Sequence, residues 1–254
     1  MLTVTNLSYA CRHQKVLDNL SFNLKAGQTV CVLGKNGVGK STLFKCLLNI
    51  LQPTSGTITI NGQATKHYSR NELAQQIAYI PQKPLTTIDF TVFEMVLMGA
   101  AVGLKSYQQP KKTEIQRVEE TLTRLKISHL KNQPFSAISG GEQQLVIIAR
   151  SIAQQSKILI MDEPCANLDY GNQIMVLKMS QSLAAQGYLV IQSTHDPNHA
   201  LQYAQQVLVL KNGCLKAQGP PAEILTSQQL EEIYQVPIAV HQLDSYPQQI
   251  CLPK

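Results

Sequence analysis

The sequence predicts an α/β protein with a parallel sheet, an antiparallel β part at the N-terminus and an inserted helical part. Short continuous apolar runs occur at Val30–Leu33, Ile158–Met161, Leu189–Ile191 and Val207–Leu210. Such runs are typical of strands that are buried on both faces, as in a parallel sheet covered by helices. With 254 residues, 44% of them hydrophobic, the chain can form one large domain or one domain with an insert.

The first quarter of the chain predicts antiparallel β structure. Residues 2–5 alternate between apolar side chains and threonine, which suits a strand at the exposed edge of a sheet. The segment Thr57–Ile60 is followed by Asn61-Gly62, a dipeptide that favours a tight hairpin turn. We therefore expect a small antiparallel sheet ahead of the parallel one.

The middle of the chain predicts helices. Apolar residues recur at three- and four-residue intervals and form one stripe, made of Ile115, Val118, Leu122 and Leu125. We place a helical subdomain at residues 83–156, inserted into an α/β core of residues 1–82 and 157–219. Residues 220–254 form a C-terminal extension whose role the pattern does not reveal.

Composition excludes several classes of protein. The net charge is +6, but lysine and arginine are scattered without interleaved aromatic residues, so we expect no nucleic-acid binding. A solvated basic surface is the favoured interpretation, and a surface near anionic lipid headgroups is an alternative. The six cysteines form no C-x-x-C pair and predict reduced thiols. The N-terminus has no secretory signal pattern and no apolar stretch spans a bilayer, so we expect an intracellular protein that needs a partner for membrane work.

A phosphate-binding loop follows the first apolar run and precedes an apolar helical face. Its residues are Gly34, Lys35, Asn36, Gly37, Val38, Gly39, Lys40, Ser41 and Thr42. The glycines let backbone N–H groups converge on phosphates, and the helix N-terminus adds positive potential. Lys40 is predicted to reach the β- and γ-phosphates, the Ser41 hydroxyl to bind magnesium, and Thr42 to complete the α-phosphate contacts. This strand, loop and helix indicate a P-loop nucleoside triphosphatase.

Polar residues follow other apolar strands, where open α/β sheets bind ligands. Asp162 is predicted to hold the magnesium shell, and Glu163 to polarise the attacking water. His195, after Leu189–Ile191, is predicted to donate to the γ-phosphate and orient that water. Gln82 ends a further strand and is predicted to reach magnesium or water, while its loop contacts another subunit.

A second anion site is predicted where a strongly apolar helix begins. Ser139 is an N-cap residue there, Gly140 and Gly141 leave the helix N-terminus bare, and Glu142 follows. Because the chain already has one phosphate loop, this second site makes most sense if it faces the ATP of another copy.

Together these motifs resemble the ABC transporter ATPases, in the order and at the spacing of that family. The likeness extends to the loop Ala166–Asp169, whose Asp169 the resemblance places at the nucleotide. It implies a RecA-like core and a head-to-tail homodimer with two ATP molecules and Mg²⁺. Each ATP then lies between one subunit's P-loop and the other's Ser139–Glu142, and closure of the dimer is passed on near Gln82.

A closer likeness, over Phe90–Gly99, Ser139–Gln173 and Gly219–Tyr234, is to importers of ferric siderophores, haem or cobalamin, with some members carrying molybdate or tungstate. It implies integral membrane permease subunits as partners, a periplasmic or surface substrate-binding protein acting indirectly, and a peripheral location at the cytoplasmic face of the cell membrane. Two alternatives stay open: a soluble ABC-type ATPase acting on nucleic acid or ribosomes, and a P-loop kinase.

The sequence departs from the family pattern at three places. The signature has Ile138 and Glu142 where leucine and glutamine are commonest, which should preserve the helix end. Cys165 and Ala166 replace Thr-Ser, so hydrogen bonds there are expected to be lost. Cys11 stands where most members stack an aromatic ring on adenine. Tyr9 lies on the same strand face if the strand is regular, and is the candidate substitute.

Overall fold

A computed structural model of the chain describes residues 1–12, 14–82, 90–105, 108–166, 168–243 and 248–254. The chain forms two compact units, one of Met1–His67 with Leu177–Lys254 and one of Tyr68–Val176. The prediction for the loop after Gln82 and that for Asn167 fall outside the described residues.

The first unit contains an antiparallel sheet in the order β2-β1-β4-β5. Its strands are β1 (Leu2–Cys11), β2 (Gln14–Leu24), β4 (Ser55–Ile60) and β5 (Gln63–Ala64). Ile60 pairs with Gln63 across the Asn61-Gly62 turn, which confirms the predicted hairpin. The predicted edge position of β1 is wrong, because β1 pairs with β2 on one side and β4 on the other. The alternation of residues 2–5 indicates one buried face and one open face. It does not indicate how many strands pair with β1.

The same unit contains the parallel strands that carry the phosphate loop. Strand β3 (Thr29–Leu33) pairs in parallel with both β8 (Leu189–Thr194) and β9 (Gln206–Lys211). All five residues of β3 are buried, as its continuous apolar run predicted. Strand β10 (Cys214–Gly219) closes a hairpin with β9. Helix α1 (Lys40–Leu47) follows β3, and α7 (Pro197–Tyr203) follows β8.

The C-terminal extension folds onto the first unit. It consists of α8 (Pro221–Ile224), α9 (Ser227–Tyr234), β11 (Ile238–Gln242) and β12 (Gln249–Pro253), the last two forming an antiparallel pair. Leu230 and Ile233 of α9 and Cys251 of β12 join a buried cluster with Cys31 and Leu33 of β3. The extension therefore shares a hydrophobic core with the strand that leads into the phosphate loop.

The second unit is mainly helical. Its elements are α2 (Arg70–Gln76), β6 (Ile77–Ile80), α3 (Val92–Ala100), α4 (Lys112–Arg124), α5 (Gly140–Ala153) and β7 (Ile158–Met161). Strands β6 and β7 pair in parallel. Helix α6 (Tyr170–Ala185) begins in this unit and ends in the other. Within the described residues, no helix has the length and apolar character that crossing a bilayer requires.

Helices α3, α4 and α5 pack on one another, and most of the predicted apolar stripe is buried. Val118, Leu122 and Leu125 are buried, whereas Ile115 is 41% exposed. The prediction is wrong for Ile115, which lies in the first turn of α4. Helices α3 and α5 approach closely at Gly99, where a Cβ atom would lie 1.9 Å from the Arg150 carbonyl oxygen.

Candidate nucleotide site

The phosphate loop adopts a conformation that only glycine permits at two positions. A Cβ atom at Gly34 would lie 2.5 Å from the carbonyl oxygen of Leu210. Gly39 has φ +110°, and a Cβ atom there would lie 2.8 Å from Leu17 Cδ2. Gly39 also occupies the N-cap position of α1, where no side chain bonds the first backbone N–H groups. The loop therefore presents backbone donors, as anion binding requires.

Lys40 lies across this loop. Its side chain is only 5% exposed, and its Nζ donates to the carbonyl oxygens of Gly34 at 2.7 Å and Lys35 at 3.1 Å. The next residue, Ser41, is exposed, and the first turn of α1 contains no acidic residue. A buried ammonium beside an exposed hydroxyl at a helix N-terminus suits a phosphate with a bound cation.

A cleft of about 640 Å³ opens beside the loop. Its lining residues are Gln14, Lys15, Val16, Lys35, Asn36, Gly37, Val38, Asn212 and Gly213. The β2 residues and the turn Asn212-Gly213 were not predicted to line the site, although an Asn-Gly pair after an apolar run is a recognisable hairpin signal.

No aromatic ring belongs to that lining, all of it within the described residues. Tyr9 pairs with Leu17, and the next residue, Ala10, pairs with Lys15. The residue left without a partner between these pairs is Val16 of β2, so the bulge is on β2. Strand β1 therefore continues without a bulge from Tyr9 to Cys11. Tyr9 and Cys11 therefore share a strand face.

The second unit brings three of the predicted hydrolytic residues together at the ends of β6 and β7. The Asp162 N–H donates to the Ile80 carbonyl oxygen at 2.9 Å, which extends the pairing of the two strands. Asp162 is 4% exposed. The burial of Tyr79, with a smaller contribution from the charge of Asp162, raises the pKa of Tyr79 to about 12. Gln82 Nε2 donates to Glu163 Oε2 at 2.7 Å.

Glu163 itself has a strained backbone. Its φ is +48°, in the left-handed region that residues with a Cβ atom rarely adopt. The Ala166 N–H donates to its carbonyl oxygen at 3.0 Å, so a turn holds this conformation. Such strain is concentrated at functional sites, because the surrounding structure must compensate its cost.

The predicted second anion site has the expected capping geometry. Ser139 Oγ accepts from the Glu142 N–H at 3.4 Å and donates to Glu142 Oε2 at 2.7 Å, while the Ser139 N–H donates to the same carboxylate at 2.8 Å. These side-chain and backbone bonds lower the pKa of Glu142. Ser139 and Gly140 are exposed, and a Cβ atom at Gly140 would meet no atom within 4 Å. The N-terminus of α5 is therefore open to a ligand.

The loop after Glu163 is hydrogen-bonded to a glutamine of α6. Gln173 Nε2 donates to the carbonyl oxygens of Cys165 at 3.3 Å and Leu168 at 3.1 Å. Asp169 accepts from the Asn172 backbone N–H and side-chain amide, both at 2.8 Å, and so caps α6. A glutamine on α6 thus holds the backbone of this loop.

His195 follows β8 in the first unit and is exposed. Tyr234 Oη donates to its backbone carbonyl oxygen at 2.8 Å, a contact that sequence analysis did not predict. The next residue, Asp196, accepts from the Asn198 N–H at 2.8 Å and caps α7. The roles assigned to His195 and to the other site residues stay predictions.

A buried strand leading into a glycine loop with an enclosed lysine, and a buried strand ending in two carboxylates, together define a P-loop nucleoside triphosphatase. A profile of the family described as ABC transporter matches residues 17–166. An ABC transporter ATP-binding protein of Haemophilus influenzae is 40% identical over 95% of this chain and 92% of its own. The hemin import ATP-binding protein of Nocardia farcinica is 35% identical over 89% and 78% of the two chains.

The solved structures agree with these relatives. One, classed as a metal-chelate type ABC transporter in an inward-facing conformation, has a TM-score of 0.86 and 32% identity and covers 100% of this chain and 96% of its own. The chain belongs to the ABC transporter family and is an ATPase of that family.

Proposed function

We propose that this chain binds ATP with Mg²⁺ at the phosphate loop and hydrolyses it with Glu163 as the group that polarises the attacking water. Magnesium prefers oxygen ligands and takes most of them from water and substrate phosphates. The Ser41 hydroxyl, the Asp162 carboxylate and the Gln82 amide oxygen fit this preference. When bound, the cation neutralises charge on the transferred phosphoryl group.

The residues around Glu163 have separate tasks in this proposal. The hydrogen bond from Gln82 at 2.7 Å orients the carboxylate. Lys40 leaves the loop carbonyl oxygens and bonds the β- and γ-phosphates instead, while His195 donates to the γ-phosphate. Asp169, at the start of α6, contacts the bound nucleotide.

We further propose that the chain acts as a head-to-tail homodimer with two shared ATP sites. The supporting observation is the open, capped N-terminus of α5 at Ser139–Glu142, whose geometry suits a second phosphate. One γ-phosphate binds between Lys40 of one copy and Ser139 of the other, so each copy is incomplete alone.

Mixing two inactive variants tests this proposal. Lys40→Ala removes the phosphate lysine, and Ser139→Arg blocks the α5 N-terminus with a bulky cation. A mixed dimer then holds one site with both defects and one with neither, so an equal mixture should recover about a quarter of wild-type hydrolysis. Each variant alone is the control. If the mixture stays as inactive as its components, the sites are not shared.

We propose that the dimer drives uptake of a metal chelate through integral membrane permease subunits, and that it is held peripherally at the cytoplasmic face of the membrane. The relative named for hemin import and the transporter classed as metal-chelate type support this cargo class. Ferric siderophore, haem and cobalamin are the proposed cargoes, with molybdate or tungstate as the oxyanion alternative. A substrate-binding protein would deliver the cargo to the permease.

Co-purification tests the transport role. The chain, expressed with a candidate permease of a metal-chelate importer, should co-purify with that permease and, in vesicles, drive ATP-dependent accumulation of one chelate. Glu163→Gln in the same complex is the control that separates transport from passive leakage. If only an oxyanion accumulates, the cargo is an oxyanion and not a metal chelate. If cargo is exported, the assignment as an importer is wrong.

A further inference from the structure

The C-terminal end of α9 contacts two loops of the nucleotide site through neighbouring residues. Tyr234 Oη donates to the His195 carbonyl oxygen at 2.8 Å. Lys35 Nζ, in the phosphate loop, donates to Gln235 Oε1 at 2.8 Å. One turn of the extension is therefore hydrogen-bonded both to the phosphate loop and to the loop that carries His195.

This turn has a defined geometry. Gln235 has φ +59°, and its N–H donates to the Glu231 carbonyl oxygen at 2.7 Å, which ends the helix in a left-handed cap. Two apolar residues of α9, Leu230 and Ile233, are buried in the cluster shared with β3. A turn anchored by a buried helix can hold its polar side chains in fixed positions.

A second set of hydrogen bonds joins the His195 loop to β12. Asn198 Nδ2 donates to the Cys251 carbonyl oxygen at 3.0 Å, and Asn198 Oδ1 accepts from the Cys251 N–H at 2.8 Å. Asn198 therefore binds the backbone of β12 as a neighbouring strand would. Both sides of the turn at residues 195–198 are thus tied to the extension.

The hydroxyl of Tyr234 stays a donor under working conditions. Burial, with a smaller contribution from the charge of Asp196, raises its pKa far above the usual value. Its bond goes to the backbone oxygen of His195, so it constrains the position of that residue through the main chain. This is the arrangement of a positioning residue rather than a catalytic one.

We propose that Tyr234 positions His195 for hydrolysis, and that the turn Tyr234-Gln235 braces the His195 loop against the phosphate loop within one chain. The inference rests on the proposed role of His195 at the γ-phosphate. It gives the C-terminal extension a function in the ATPase cycle, beyond completing the core of the first unit.

Tyr234→Phe removes only the hydroxyl and keeps the packed ring. We expect kcat for ATP hydrolysis to fall about three- to tenfold, the effect of one lost positioning hydrogen bond, with KM for ATP changed less than about twofold. Unchanged ATP affinity in a binding titration establishes that the site is folded. Lys254→Ala is the matched control, because it removes the exposed bond from Lys254 to Glu231 in the same extension and should leave both constants unchanged.

Combination with His195→Ala separates positioning from general weakening. The double variant Tyr234→Phe/His195→Ala should be no slower than His195→Ala alone, since a hydroxyl that acts through His195 has nothing left to position. If the rate loss of the double variant is instead the product of the two single losses, the inference is wrong. A slow His195→Ala with a fully active Tyr234→Phe would overturn it while the proposed function stands. A fully active His195→Ala would refute both the role of His195 and the inference.

Discussion

The strained backbone of Glu163 allows a sharp prediction about stability. Replacement by glycine should give a more stable protein than replacement by alanine, the reverse of the usual order. With φ at +48°, alanine keeps the left-handed strain of about 1–2 kcal/mol. Glycine relieves the strain but has about 0.5–1 kcal/mol more backbone entropy to lose on folding. The difference favours glycine by about 1 kcal/mol, or about 2–4 °C in Tm for a chain of this size.

Thermal unfolding of the two purified variants measures this difference, with phosphate release reporting activity. Both variants lack the carboxylate, so both should lose at least about 100-fold in turnover. The control pair is Gln116→Gly and Gln116→Ala in the exposed interior of α4, where alanine should be the more stable by about 1 kcal/mol. If alanine is also the better replacement at Glu163, that residue carries no backbone strain and the argument from its conformation is wrong.

Three further substitutions follow from the site. Gly39→Ala forces a Cβ atom against Leu17 at a φ of +110°, so the unfolding free energy should fall by about 1–3 kcal/mol and calorimetry should show at least about tenfold weaker ATP binding. The pKa of Glu142 is lowered in the folded protein. Its contribution to stability is therefore present above pH 4.5, the ordinary pKa, and is lost as pH falls through the pKa of the folded state. Glu142→Gln should therefore flatten the acid side of the Tm–pH curve. Asp169→Ala removes the cap of α6 and should cost about 1 kcal/mol in urea unfolding, whereas Asp169→Asn should keep most of that stability.

The buried strands and the glycine loop could be predicted from the sequence because their physics is local. The run Val30–Leu33 predicts β3 to within one residue, since both faces of that strand are covered. The N-cap role of Ser139 was equally local, and the full capping box with Glu142 is present. Such features depend on side chains within a few positions of one another.

Features set by partners distant in sequence could not be predicted. Strand β11 has only Ile238 buried along its length, so its pattern resembles a loop until β12 pairs with it. The bond from Tyr234 to His195 joins residues 39 positions apart and has no periodic signal. The same reason explains the error about β1, whose second neighbour, β4, begins more than forty residues later.

The central claim is that ATP is held between two copies of this chain, and the mass of the particle in solution tests it most directly. Light scattering on Glu163→Gln with saturating ATP and Mg²⁺ should give twice the 28.1 kDa of one chain, because the trapped nucleotide bridges Lys40 and Ser139 of different copies. Omission of the nucleotide or addition of Ser139→Arg should return the mass to that of a single chain. A single-chain mass with ATP measurably bound would contradict the account.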